Sequence, residues 1–116
     1  MTDLRTSWDL LVAALNAPKR EDKASLFSRF VRDDVSYVDP SASLRGASAY
    51  IDYLMAVEDM NPGGGIETVS FVSHHGRSLA TWNAIDSNGV RIGEGTSYVE
   101  YDEGGRMVAI ATFFGK

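Results

Sequence analysis

Apolar side chains in the first half of the chain recur at intervals of three and four residues, which is the spacing of one helix face. The first positions with this spacing are Leu4, Trp8, Leu11, Val12 and Leu15. Thr2 or Asp3 stands just before them, where a residue that caps a helix belongs. The pattern predicts an amphipathic first helix.

The same spacing returns in two later segments. One covers residues 20–31 and the other covers residues 47–59. The second segment must end at Asn61-Pro62, because a proline followed by three glycines does not continue a helix. The sequence therefore predicts three helices before its midpoint.

From residue 65 onward apolar residues recur at every second position, which is the spacing of a β-strand and not of a helix. The segments "IETVSFVSHH", "SLATWNAID", "VRIGEGTSYVEY" and "MVAIATFFG" are rich in β-branched and aromatic residues. Asn88-Gly89 and Gly104-Gly105 are strong hairpin signals between them. We predict an antiparallel meander of four strands, joined by a short strand at residues 35–38, with the three helices on one face: an α+β two-layer domain.

The alternation in the predicted sheet is incomplete. "SLATWNAI" and "MVAIATFF" are apolar on both faces, whereas a sheet with one face in water alternates more cleanly. We therefore expect a second copy of the chain to cover the outer sheet face, away from the helices, in a homodimer.

Composition narrows the classes of function. The chain has 116 residues, 44% of them hydrophobic, which fits a single globular domain with a real core. Its net charge is -5 and its basic residues are scattered, so we expect no nucleic-acid partner. Without cysteine, disulfides and Cys-ligated zinc are excluded. Neither a signal peptide nor a membrane-spanning apolar run is apparent, which favours a cytoplasmic protein with no membrane partner.

Asp39, in "YVDPSASLRG", is the main candidate for chemistry. The proline after it favours extended backbone, so Asp39 should close the short strand. In one interpretation its carboxylate accepts backbone N–H groups and shapes a turn. In the other it faces an apolar pocket, which would raise its pKa and make it a better base near neutral pH.

Other polar candidates are fewer. His74 and His75 are adjacent in a strand pattern, so at most one can face a pocket, and both are exposed if they end a hairpin. No third ligand accompanies them, so we expect no metal site. Glu94 faces the pocket or is an exposed strand charge. Neither "GEG" nor "PGGG" has the form of a phosphate-binding loop, and we expect no cofactor.

The order of elements, with "WDLLVAALNA", "LFSRFVRDDVSYVDP", "LRGASAYIDYL" and "GEGTSYVEYDEGGRMVAIATFFG", resembles the nuclear transport factor 2-like superfamily. Within it, the SnoaL-like and ketosteroid isomerase-like branch is the most similar. The resemblance covers nearly the whole chain and implies one domain over residues 1–116. The implied fold is a cystatin-like cone of three amino-terminal helices on a strongly curved, mostly antiparallel sheet. An apolar pocket at one end and a homodimer are also implied.

The resemblance also implies site residues. Through "VDP", Asp39 matches the aspartate that acts as base in the similar steroid isomerases. Their enolate-stabilising tyrosine and protonated aspartate match Leu11 and Ser97 here, so both strong donors are missing. In the epoxide hydrolase branch, the last aspartate of the water-activating set matches Thr112.

Three aromatic residues complete the candidate ligand-binding set of Leu11 and Ser97. Tyr37, Tyr53 and Trp82 could line a pocket with an apolar body and a polar tip, or could belong to the ordinary core. Asn83 follows Trp82 and should face the other side of the sheet.

Two functions therefore remain. In the first, the chain is a small-molecule-binding domain that acts as a cofactor-free acid–base enzyme. The reaction would be of isomerase, cyclase or lyase type, on a small hydrophobic or cyclic substrate, with Asp39 as base. Alternatively, it is a non-catalytic ligand-binding or dimeric interaction module on the same fold.

Overall fold

The computed structural model describes residues 3–115, which form three helices and six strands. The helices are α1 (Leu4–Asn16), α2 (Arg20–Phe30) and α3 (Ala47–Met60). The strands are β1 (Val31–Asp39), β2 (Ala42–Arg45), β3 (Gly65–His74), β4 (Arg77–Ile85), β5 (Arg91–Tyr101) and β6 (Met107–Phe114). The predicted helices and the four-strand meander are confirmed. The short strand is longer than the predicted 35–38, and β2 was not predicted, because four residues after a proline resemble a turn.

Polar groups fix both ends of α1. Asp3 caps its first turn, with a carboxylate oxygen accepting the N–H of Arg5 at 3.0 Å. The other candidate cap, Thr2, lies outside the described residues. At the far end, the buried Lys23 amine of α2 donates to the carbonyls of Ala14 and Leu15 at 3.0 and 3.1 Å. Lys23 thereby adds a donor at the end of α1, where helical N–H partners are missing, and joins α2 to α1.

The sheet is mixed, with strand order β2-β1-β6-β5-β4-β3. Only β1 and β6 pair in parallel, and the other neighbours are antiparallel. The register shifts once in each of the four pairings from β1–β6 to β3–β4. Such bulges bend strands and increase their twist, so the sheet curves around the helices. The predicted α+β cone is confirmed.

The core lies between the concave sheet face and the helices. Trp8, Phe27 and Tyr50 come from the three helices, and Val99 and Ile110 come from the central strands. Trp8 also donates its indole N–H to Thr68 of β3 at 2.9 Å, so its polar atom is satisfied where its ring is buried.

No helix within residues 3–115 is both long enough and apolar enough to cross a membrane.

A glycine on β5 makes room for a large side chain on β4. Gly95 is the register partner of Trp82, and a Cβ at Gly95 would overlap the Trp82 ring. Gly93, two residues earlier on the same strand, has space: its Cβ would meet only the Cβ of Ala84, at 3.9 Å. Gly95 is therefore required for the position of Trp82.

We predict that Gly95→Ala lowers the free energy of unfolding by about 1–3 kcal/mol, because the added methyl group displaces the indole from a packed position. Urea denaturation followed by circular dichroism measures this change. Gly93→Ala is the matched control and should be close to neutral. Equal destabilisation by the two variants would contradict the steric argument.

Candidate ligand-binding site

A cavity of about 580 Å³ lies between the helices and the concave sheet face. Its walls are mainly apolar and aromatic, as in pockets for small molecules. The structure brings all six residues that the sequence suggested into this wall: Leu11, Tyr37, Asp39, Tyr53, Trp82 and Ser97. Their placement is a structural fact, and their roles stay predictions.

Asp39 ends β1 and accepts four hydrogen bonds. One carboxylate oxygen accepts the hydroxyls of Tyr37 and Tyr53, each at 2.6 Å. The other oxygen accepts the backbone N–H of Ser41 at 2.8 Å and its hydroxyl at 3.0 Å. One oxygen of Asp39 therefore shapes the turn through Ser41, while Asp39 is also part of the cavity wall. The two interpretations of the sequence are compatible with each other.

The expected rise in the pKa of Asp39 is wrong. Burial does raise this pKa, but the hydrogen bonds from Tyr37, Tyr53 and Ser41 outweigh burial and lower the pKa below its ordinary value. A carboxylate oxygen has about two lone-pair sites, so these donors occupy the acceptor capacity of Asp39. Asp39 is a stabilised anion in the cavity wall, and a weak base.

Three tyrosines form a stack beside this carboxylate. The rings of Tyr37 and Tyr50 lie 4.3 Å apart and nearly parallel, and Tyr53 packs on Tyr37 at 5.6 Å. Burial raises the pKa of all three hydroxyls, and the negative charge of Asp39 raises each of them further. The tyrosines therefore stay protonated near neutral pH.

The sheet side of the cavity carries a second set of polar contacts. Trp82 donates its indole N–H to the Ser97 hydroxyl at 3.0 Å, and Ser97 shares a hydrogen bond of 3.0 Å with Thr112. All three residues line the cavity. The hydroxyl of Ser97 is thus already engaged by two neighbours.

The charges in the described cavity wall are all negative. The wall contains Asp39, Glu58 and Glu94 but no described lysine, arginine or histidine. Glu94 forms an ion pair with Arg91, and Glu58 accepts the N–H of Gly63 at 2.9 Å. Asp39 has no ion-pair partner within residues 3–115. The cavity should disfavour anionic ligands.

The two histidines lie away from this cavity. His74 and His75 are exposed at the β3–β4 hairpin, with their Nδ1 atoms 3.1 Å apart. They are an exposed hairpin end, the second alternative from the sequence. Within residues 3–115 no group of three or more His, Cys, Asp or Glu side chains could hold a metal ion.

Sequence reasoning missed Tyr50 and Trp8 as cavity residues. Both follow the apolar spacing of their helices, which is typical of ordinary core positions. Tyr50 and Tyr53 are three residues apart on α3 and so share a helix face, which was the available signal.

Comparison with known proteins finds no matching family model and no curated protein with a matching sequence. Solved structures do match. A SnoaL-like protein of Agrobacterium tumefaciens, provisionally named an isomerase, is 22% identical with a TM-score of 0.91, over 100% of both chains. A nuclear transport factor 2-like protein of unknown function from Exiguobacterium is 16% identical with a TM-score of 0.75, over 95% of this chain and 98% of that one.

A third matching structure is a Kribbella flavida protein provisionally named a ketosteroid isomerase. It is 16% identical with a TM-score of 0.74, and the match covers 97% of this chain and 78% of that one. At these identities the comparisons establish the fold, which is the one that SnoaL-like, nuclear transport factor 2-like and ketosteroid isomerase-like proteins share.

We predict that Asp39→Asn lowers the free energy of unfolding near neutral pH by about 1.5–3 kcal/mol, because hydrogen bonds to a charged acceptor are lost. The pKa of Asp39 is lower in the folded state than in the unfolded state. Its contribution to stability is therefore complete above the unfolded pKa and is lost as pH falls through the folded pKa.

Urea denaturation over a range of acidic pH values tests this dependence. The difference in unfolding free energy between wild type and Asp39→Asn should shrink on acidification. Asp9→Asn is the control, because Asp9 is an exposed carboxylate paired with Arg5 and should matter little. A difference that does not change with pH would contradict the prediction.

Proposed function

We propose that this chain binds a small hydrophobic molecule in the cavity of the cone. The observation that carries the proposal is the cavity itself, which combines apolar and aromatic walls with a few converging polar groups. The fold shared with SnoaL-like proteins supports the same function.

A second candidate is a cofactor-free acid–base enzyme of isomerase, cyclase or lyase type, with Asp39 as base. The position of Asp39 at a strand end in the cavity wall favours it. Three features weigh against it. The lone pairs of Asp39 are occupied, Leu11 offers no donor, and the Ser97 hydroxyl is engaged by Trp82 and Thr112. Binding is therefore the better-supported function.

Tryptophan fluorescence should report binding directly. The chain has two tryptophans, Trp8 and Trp82, and both line the cavity. We expect members of a library of small hydrophobic and cyclic molecules to shift the emission and to raise the melting temperature by mass action. Ala84→Leu narrows the cavity and should weaken every such ligand, whereas Ala24→Leu, at an exposed position on α2, should not.

The same ligands separate binding from catalysis. If Asp39→Asn abolishes conversion of a bound ligand while binding persists, Asp39 is the base of an enzyme. If wild type converts none of its ligands, the protein is a binding module. A library that leaves emission and melting temperature unchanged would contradict ligand binding in this cavity.

We also propose that the outer sheet face is covered by a second copy of the chain. One row of register partners crosses five strands on this face: Val72, Leu79, Tyr98, Ala111 and Val38. Three members of this row, Val72, Leu79 and Val38, are exposed in the single chain. Contiguous exposed apolar surface of this kind is typical of interfaces.

Each of the rows beside this apolar row contains a polar pair, which suits a two-fold contact. On one side Arg77 pairs in register with Glu100, so the row carries both signs of charge. On the other side the hydroxyls of Ser70 and Thr81 are hydrogen-bonded to each other at 2.6 Å. A two-fold axis near Tyr98 would lay the apolar row on its own copy, as an isologous dimer requires.

We predict that Leu79→Lys converts a dimer into a monomer, because the interface would bury an unpaired charge. Light scattering coupled to size exclusion measures the mass at micromolar concentration. Val90→Lys is the control: Val90 is also exposed and apolar but lies in the β4–β5 turn, away from the row. A monomeric wild type would overturn the dimer.

A further inference from the structure

One polar atom in the cavity wall has no partner. Tyr50 is only 3% exposed, yet its hydroxyl forms no hydrogen bond with any described residue. Tyr37 and Tyr53, its neighbours in the stack, both have partners. Burying a hydroxyl without a hydrogen bond is costly, so an unpaired one in a core needs an explanation.

The Tyr50 hydroxyl is reachable from the cavity. Tyr50 is part of the cavity wall, and within residues 3–115 no buried side-chain nitrogen or oxygen is both sealed off and unpartnered. The hydroxyl therefore keeps a small accessible surface, on a residue that borders the cavity. An occupant of the cavity can form the hydrogen bond that the protein does not supply.

The groups around this hydroxyl determine which hydrogen-bonding groups and which charge a ligand in the cavity needs. Tyr37 and Tyr53 have committed their protons to Asp39, so their oxygens can only accept further hydrogen bonds. The charge of Asp39 acts on Tyr50 and places it in a negative field. Beside one free donor, the wall thus presents acceptors and negative charge.

We propose that Tyr50 is the polar anchor of the cavity and that its ligand is a hydrophobic molecule carrying an uncharged hydroxyl group. A hydroxyl accepts one hydrogen bond, from Tyr50, and donates one, to the oxygen of a neighbouring tyrosine. This inference rests on the proposed function and identifies the ligand class for that same cavity.

Other polar groups meet only part of this requirement. A ketone accepts from Tyr50 but gives nothing to the surrounding acceptors. A carboxylate is repelled by Asp39, Glu58 and Glu94. A protonated amine is attracted by these charges but cannot accept, so it leaves Tyr50 unpaired.

The experiment compares adamantane derivatives that differ in one polar group: adamantanol, adamantanone, adamantylamine and adamantane carboxylate. Affinities for the wild-type protein are measured by tryptophan emission and by calorimetry. We expect adamantanol to bind at least tenfold more tightly than the carboxylate, and several-fold more tightly than the ketone and the amine. A ketone, amine or carboxylate that binds as well as the alcohol would overturn the inference.

Tyr50→Phe tests the anchor and removes only the unpartnered hydroxyl. Because no protein hydrogen bond is lost, the melting temperature of the free protein should stay the same or rise. Affinity for adamantanol should fall about tenfold, which corresponds to about 1.4 kcal/mol. Unchanged affinity for adamantanol in Tyr50→Phe would overturn Tyr50 as anchor.

Tyr98→Phe is the control, because the Tyr98 hydroxyl contacts Glu100 on the opposite sheet face. It should bind adamantanol as wild type does. If none of the four compounds alters the emission or produces heat, the cavity is not a binding site for hydrophobic molecules, and the proposed function fails together with this inference. Binding with the wrong order of affinities overturns the inference alone.

Discussion

The carboxylate of Asp39 connects the end of β1 and the turn after it to Tyr53 of α3, which lies 14 residues further along the chain. Its hydrogen bonds join the end of β1, through Tyr37, to the following turn, through Ser41, and to α3, through Tyr53. Each bond has a charged acceptor, and such bonds are stronger than neutral ones. Through Tyr53, these bonds tie α3 to the end of β1 at the wall of the cavity.

The cavity persists because its aromatic wall is tethered by polar atoms. Protein interiors normally close to near-crystalline density, so large rings that line a cavity need something to hold them in the wall. Here the hydroxyls of Tyr37 and Tyr53 are bound to Asp39, and the indoles of Trp8 and Trp82 donate to Thr68 and Ser97. Moving any of these rings inward would break a hydrogen bond in a largely apolar environment.

The spacing of the apolar residues and the positions of turn-forming residues were enough to predict the helices, the meander and the strand end at Asp39. They could not predict β2, or the parallel pairing of β1 with β6, because both depend on contacts between distant segments. The pKa of Asp39 depends both on neighbours that are close in the sequence and on a contact from a distant segment. Tyr37 is two residues earlier on the same strand, so its presence on the same face was foreseeable. Tyr53 comes from α3, and its hydrogen bond acts with those of Tyr37 and Ser41 to reverse an expectation of the pKa that was based on burial alone.

The hydrogen-bond donors on the helix side of this cavity therefore come from α3 and not from the two donor positions that the family resemblance indicated. Leu11 supplies no polar atom, and the hydroxyl of Ser97 is already used within the sheet. Tyr53 stabilises the carboxylate, while Tyr50, one helical turn earlier, leaves its own hydroxyl open to the cavity. The hydroxyls of Tyr37 and Tyr53, which weaken Asp39 as a base, also point their protons at its carboxylate. A cavity arranged in this way is better suited to recognising a neutral ligand than to removing a proton from it.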